Sequence, residues 1–80
     1  MSDIKKCLVD FINKNSSQLR NIDKVHFRFV EVFGTNYSDE DIRNELITSP
    51  IENIDIGDGV KLSVICMEHW REICLIRTKL

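Results

Sequence analysis

Residues 51–80 constrain the fold more tightly than any other stretch. Side chains on a β-strand alternate between two faces, so a one-residue slip in pairing sends every apolar group to the wrong side. The stretch reads IENIDIGDGVKLSVICMEHWREICLIRTKL, with apolar runs at 60–67 and 73–76 flanking a polar tip that carries Trp70. In its first half, a two-residue Asp58-Gly59 turn sets Ile54 and Ile56 against Val60, Leu62 and Val64 on opposite faces. A three-residue Gly57-Asp58-Gly59 loop puts all five together and is the expected turn, with Gly59 in the left-handed region. In the second half, an even-numbered loop such as His69-Trp70, with Glu68 opposite Arg71, keeps Val64 and Cys66 beside Ile73 and Leu75. One face then carries Ile54, Ile56, Val60, Leu62, Val64, Cys66, Ile73 and Leu75, and is expected to be the core. The other carries Lys61, Ser63, Ile65, Met67, Glu72, Cys74, Ile76 and Thr78. It is polar at its ends but apolar through Ile65, Met67, Cys74 and Ile76, which a purely solvent-facing surface would not be.

The N-terminal half supplies helices. Ile4, Cys7, Leu8, Phe11 and Ile12 fall at i, i+3, i+4, i+7 and i+8, one amphipathic stripe with Ser2 or Asp3 as its cap. A second helix is signposted by Ser38 with Asp41 three residues on, by Tyr37 and Ile42 as a hydrophobic staple, and by Pro50, which forces Ser49 out of the α region. Asp39 and Arg43 stand at i, i+4 spacing for an ion pair. Between these helices, KVHFRFVEVFG at 24–34 suits either state. As a strand it puts Val25, Phe27, Phe29 and Phe33 on one side and His26, Arg28, Val30 and Val32 on the other, interrupted by Glu31. As a helix it makes a stripe of Ile22, Val25, Phe29, Val32 and Phe33 closed by Gly34. The strand is preferred, because β-branched and aromatic residues lose rotamer freedom in a helix.

The expected fold class is therefore α+β: two helices packed on a mainly antiparallel sheet in the order α-β-α-β-β-β, with residues 1–80 as a single small globular domain. A winged helix, three helices plus a C-terminal β-hairpin, is the alternative if 22–33 is helical. That comparison rests on element order alone.

Composition removes several function classes. Eleven basic and thirteen acidic residues are interspersed and leave a net charge of −2, so no bulk field recruits a polyanion. No apolar run approaches the roughly 18 residues of a membrane span. The opening MSDIKKCLVDFI lacks the apolar core and cleavage site of a secretory signal, and a cytoplasmic location is expected. Three cysteines, Cys7, Cys66 and Cys74, are odd in number and widely spaced, as reduced thiols are. Cys66, His69 and Cys74 are zinc-ligand types, but strand parity sets the two thiols on opposite faces. There is no Walker loop, no G-x-G-x-x-G and no H-E-x-x-H. The carboxylates Asp39, Glu40 and Asp41 read as a charged helix start rather than as an acid–base pair.

No enzymatic activity, cofactor or metal is expected. The function expected is that of a small binding or regulatory protein of the inhibitor, immunity or adaptor kind. It would dock on a protein partner through Ile65, Met67, Cys74, Ile76 and the Trp70 tip. The Ser38 helix is the first candidate to cover that face, since two helices are available for two faces, and a protein partner or a second copy of the chain is the alternative. Under the winged-helix alternative, Lys61, Arg71, Arg77 and Lys79 would contact nucleic acid, against which the three carboxylates at the start of the recognition helix argue.

Overall fold

The computed structural model describes residues 2–66 and 71–78. Helix α1 (Asp3–Lys14) forms on the expected stripe. Leu8 and Ile12 are fully buried, and Ile4, Cys7 and Phe11 pack beside them. Ser2 Oγ accepts a hydrogen bond from the Lys5 N–H at 3.2 Å, satisfying one of the orphan donors of the first turn. Asn15 ends the helix, its side-chain amide donating to the Phe11 carbonyl at 2.8 Å. A short α2 (Ser16–Leu19) then turns the chain and buries Leu19.

Residues 24–33 take both of the conformations that compete for them. They form β1 (Lys24–Arg28) and then α3 (Phe29–Phe33). The change falls where the apolar spacing changes. Val25 and Phe27 alternate inward with period two, whereas Phe29, Val32 and Phe33, at i, i+3 and i+4, are buried and Val30 between them is 52% exposed. Glu31, the residue that interrupts the strand pattern, sits at the third helical position, and its carboxylate accepts from the Arg28 N–H at 2.7 Å. An unbroken strand over 24–33 is thus corrected at Phe29, and a helix over 22–33 is corrected before it. Gly34 closes α3 at φ 63°, a conformation that costs a Cβ-bearing residue dearly.

Helix α4 (Asp39–Thr48) starts where the capping signature places it, with Ser38 Oγ accepting from the Asp41 N–H at 3.1 Å. It ends at Ser49, whose φ of −142° precedes Pro50. Asp39 does not pair with Arg43 on its own helix. Its carboxylate lies 2.9 Å from Arg71 Nε, at the far end of the chain.

Strands β2 (Ile54–Asp55), β3 (Lys61–Cys66) and β4 (Glu72–Arg77) join β1 in an antiparallel sheet of order β1-β4-β3-β2. Both parity arguments hold. Ile54 pairs with Leu62, the Ile56 N–H donates to the Val60 carbonyl at 3.1 Å, and three residues, with Gly59 at φ 75°, make the turn between them. Val64 pairs with Leu75 and Cys66 with Ile73, the register of an even-numbered loop whose tip, residues 67–70, lies outside the described residues.

The class is α+β, in the order α-α-β-α-α-β-β-β, because two short helices join the two expected. Helices α1, α3 and α4 followed by the β3–β4 hairpin also reproduce the element order of the alternative architecture, with a middle helix of only five residues. The core is one cluster in which Leu8, Ile12, Phe29, Phe33, Ile42 and Leu46 from the helices meet Leu62, Val64, Ile73 and Leu75 from the sheet. Arg20 ties the β2–β3 turn to this body. Its Nε donates to the Ile56 carbonyl at 3.1 Å and its Nη1 lies 3.4 Å from the Asp58 carboxylate.

These placements separate Phe33 from Val30. Phe33→Ala is expected to cost about 3–5 kcal/mol, since it empties a fully buried site. Val30→Thr is expected to cost no more than about 0.5 kcal/mol, as for an exposed position. Urea unfolding of the two variants measures both, and comparable losses at the two positions would mean that α3 is not the helix described.

Candidate functional site

All helical packing falls on one side of the sheet. Ile42 and Leu46 of α4 belong to the same cluster as Leu62, Val64, Ile73 and Leu75, so the Ser38 helix lies over the core face and not over the second one. The second face is therefore open among the described residues. Pairing builds it row by row. Lys24, Ile76 and Ser63 lie side by side across β1, β4 and β3. His26, Cys74 and Ile65 form the next row, and Arg28 with Glu72 the third.

Three of the five residues expected at a partner site are thus brought together. Ile65 is 45% exposed, Ile76 is half-buried and Cys74 is buried. Met67 and Trp70 lie outside the described residues. The apolar stripe is bounded at one end by the Ser63 and Thr78 hydroxyls, 2.8 Å apart, and at the other by His26 Nδ1, 3.7 Å from Glu72 Oε2. Cys74 is buried without any helix above it, because His26 and Ile65 stand directly across from it on both neighbouring strands and its own side chain is short.

The register also places a thiol, an imidazole and a carboxylate, Cys74, His26 and Glu72, in one cluster that the sequence could not reveal. It is not arranged for nucleophilic chemistry. Burial pushes the Cys74 thiol up from its ordinary pKa, outweighing the opposing pull of the Lys24 ammonium, whereas a reactive cysteine needs the opposite shift. Among the described residues no hydrogen bond joins Cys74 to His26. Cys66, on the core face, is pushed up in the same way by burial, against the Arg43 guanidinium. Cys7 lies on the helical side, where its Sγ donates to the Val32 carbonyl at 3.5 Å beside an open groove of about 460 Å³. Asp10, Lys14 and Glu31 line that groove, but no histidine does.

The basic residues expected for nucleic acid do not form one surface. Arg71 is paired with Asp39, and Arg77 donates to the Arg20 carbonyl. Six residues of extended strand, roughly 20 Å, separate these two arginines. Lys61 faces the open side opposite Asp55, and Lys79 lies outside the described residues.

A different basic row emerges from the topology: Lys24, His26 and Arg28, all exposed, on the outward-facing side of β1. The alternation in KVHFR already separates these three from Val25 and Phe27. What it lacks is the pairing of β1 with β4, which puts them beside the Ile65, Cys74 and Ile76 stripe.

Comparison with known protein families, with curated proteins and with solved structures finds no match for this chain. Fold and site together define a small α+β domain with one covered and one open sheet face. Among the described residues no helix is long and apolar enough to cross a membrane.

The thiols give a pH signature. Both are raised in the folded state, so the folded protein keeps protons that the unfolded chain releases near the ordinary cysteine pKa of about 8.5. Their stabilisation is complete below that pH and is lost as pH rises through the raised folded values. Urea unfolding at stepped pH is expected to show stability falling above about pH 8.5, and falling less steeply in a C66A/C74A variant. An identical slope in the variant would show that burial does not perturb these groups.

Proposed function

We propose that the chain is a non-enzymatic binding or regulatory protein that docks its open sheet face on a protein partner, in the manner of small inhibitors, immunity proteins and adaptors. The observation that carries this reading is Ile65, 45% exposed in a continuous apolar stripe with Cys74 and Ile76 and with no helix over it among the described residues. An apolar stripe rimmed by polar groups is the usual anatomy of a protein contact. The Cys74, His26 and Glu72 cluster gives no support to catalysis, because its thiol is shifted away from the nucleophilic form.

Charge narrows the partner. Along β1 the rim carries Lys24, His26 and Arg28 with Glu72 opposite Arg28, which leaves a net positive border, whereas at the opposite side Lys61 stands across from Asp55. A partner with an apolar centre and an acidic border on the β1 side complements this face. Nucleic acid is the weaker alternative, since Arg77 donates to the Arg20 carbonyl within the fold, Arg71 pairs with Asp39 at the surface, and the two stand at opposite ends of β4, roughly 20 Å apart.

The test is affinity capture from source cells with three baits: wild type, I65D/I76K on the open face, and Q18E on exposed α2 as a control. A protein retained by wild type and Q18E is expected to bind I65D/I76K at least about tenfold more weakly, because two anchors of the contact become charged. The variant is expected to keep its cooperative urea transition. Retention of the partner by folded I65D/I76K would place the docking surface elsewhere.

A further inference from the structure

We infer that β1 is a strand-addition site for an extended, acidic segment of the partner. The inference rests on the docking reading and names the partner's chemistry at one border of the face. β1 lies at the edge of the sheet, and nothing among the described residues pairs with its outer side. Hydrogen bonds fix which backbone groups face outward. The Phe29 N–H donates to the Arg71 carbonyl at 2.7 Å, and the Arg77 N–H donates to the Asp23 carbonyl at 2.9 Å, so residues 23 and 29 turn their backbone toward β4. By the alternation of an antiparallel ladder, Val25 and Phe27 do the same, and Lys24, His26 and Arg28 turn theirs away from the sheet.

Glu31 already accepts from the Arg28 N–H at 2.7 Å. The N–H and C=O of Lys24 and of His26 remain, enough for four hydrogen bonds to an added strand. The edge is accessible from the side, since Phe27 is held from the core side by Phe11, with ring centroids 5.0 Å apart, while the side chains of Lys24, His26 and Arg28 are exposed.

Charge selects the occupant. Charged edge strands ordinarily protect a sheet from pairing with its own copies, and this edge does so effectively. In an antiparallel pair of β1 edges, outward residues face outward residues, so Lys24, His26 and Arg28 meet only one another. With the two-fold axis at His26, Lys24 stands opposite Arg28 of the second copy, twice, and like charges directly opposite destabilise a sheet. A strand with Asp or Glu at alternate positions reverses each of those contacts.

Size points the same way. Three strands at about 4.8 Å spacing and five residues of about 3.3 Å rise give an open face of roughly 250 Å² in projection. A stable contact buries about 800 Å² on each partner. Continuing the sheet across β1 enlarges the surface where the fold provides unpaired backbone, as in other strand-addition complexes.

The experiment uses the full chain with three synthetic peptides of roughly nine residues: alternating Glu and Thr, alternating Lys and Thr, and a Glu–Thr version N-methylated at the residues that would bond to β1. Amide hydrogen exchange is followed residue by residue by NMR. The Glu–Thr peptide is expected to bind saturably and to slow exchange at Lys24 and His26, while the Lys–Thr and N-methylated peptides do neither. In K24E/R28E the preference is expected to invert, with Glu–Thr bound at least about tenfold more weakly than by wild type. Unchanged exchange at Lys24 and His26 with saturating Glu–Thr overturns the inference. Equal binding of the N-methylated peptide also overturns it, since charge attraction alone would then explain the contact. An I65D variant changes β3, which does not pair with β1, so peptide binding by that variant separates failure of the strand-addition site from failure of the open-face reading.

Discussion

The pairing of Val64 with Leu75 is the contact on which the rest of the molecule depends. It sets the parity of β3 and β4 together, and parity decides which of two apolar sets the helices can reach. In the observed register Leu62, Val64, Ile73 and Leu75 face Leu8, Ile12, Phe33, Ile42 and Leu46. Each such side chain contributes roughly 1.5–3 kcal/mol when fully buried. A shift of β3 by one residue would turn Lys61, Ser63 and Ile65 toward the helices and send Leu62 and Val64 to the other side, exchanging two fully packed aliphatic side chains for a charge, a hydroxyl and a single isoleucine.

That same register creates the open face. A sheet whose helices all gather on one side must leave its other side to solvent or to a partner, and Ile65, Cys74 and Ile76 occupy that other side. Cys74 shows how a β-surface can bury a small group by itself, with long neighbours on both flanking strands and no second layer. The burial that hides the thiol also favours its protonated form, so one local cause accounts for both its inaccessibility and its raised pKa.

Which parts were legible in the sequence follows from how local their causes are. Helix α1, the Ser38 cap, the stop at Pro50 and both hairpin parities are written in residues within a few positions of one another. The split of 24–33 into β1 and α3 was harder, because Val and Phe satisfy either period. Glu31 was the available clue: an acid that breaks a strand's alternation is well placed to accept from the N–H at a helix start. Asp39 misled for the converse reason. Its local partner Arg43 is one helical turn away, yet Arg71, more than thirty residues distant in the chain, holds it.

By itself the sequence determined the α+β class, the starts of α1 and α4, the stop of α4 at Pro50 and the two faces of the C-terminal hairpin, since spacing and alternation are short-range properties. Only the tertiary structure decided that both long helices pack on one face and that β1 runs beside β4. It also decided that Lys24, His26 and Arg28 therefore border the Ile65, Cys74 and Ile76 stripe. Those relations join residues 24–28 to residues 72–76 across most of the chain. No local pattern specifies them. They follow from the need to bury Val25, Phe27, Ile73 and Leu75 under the same helices.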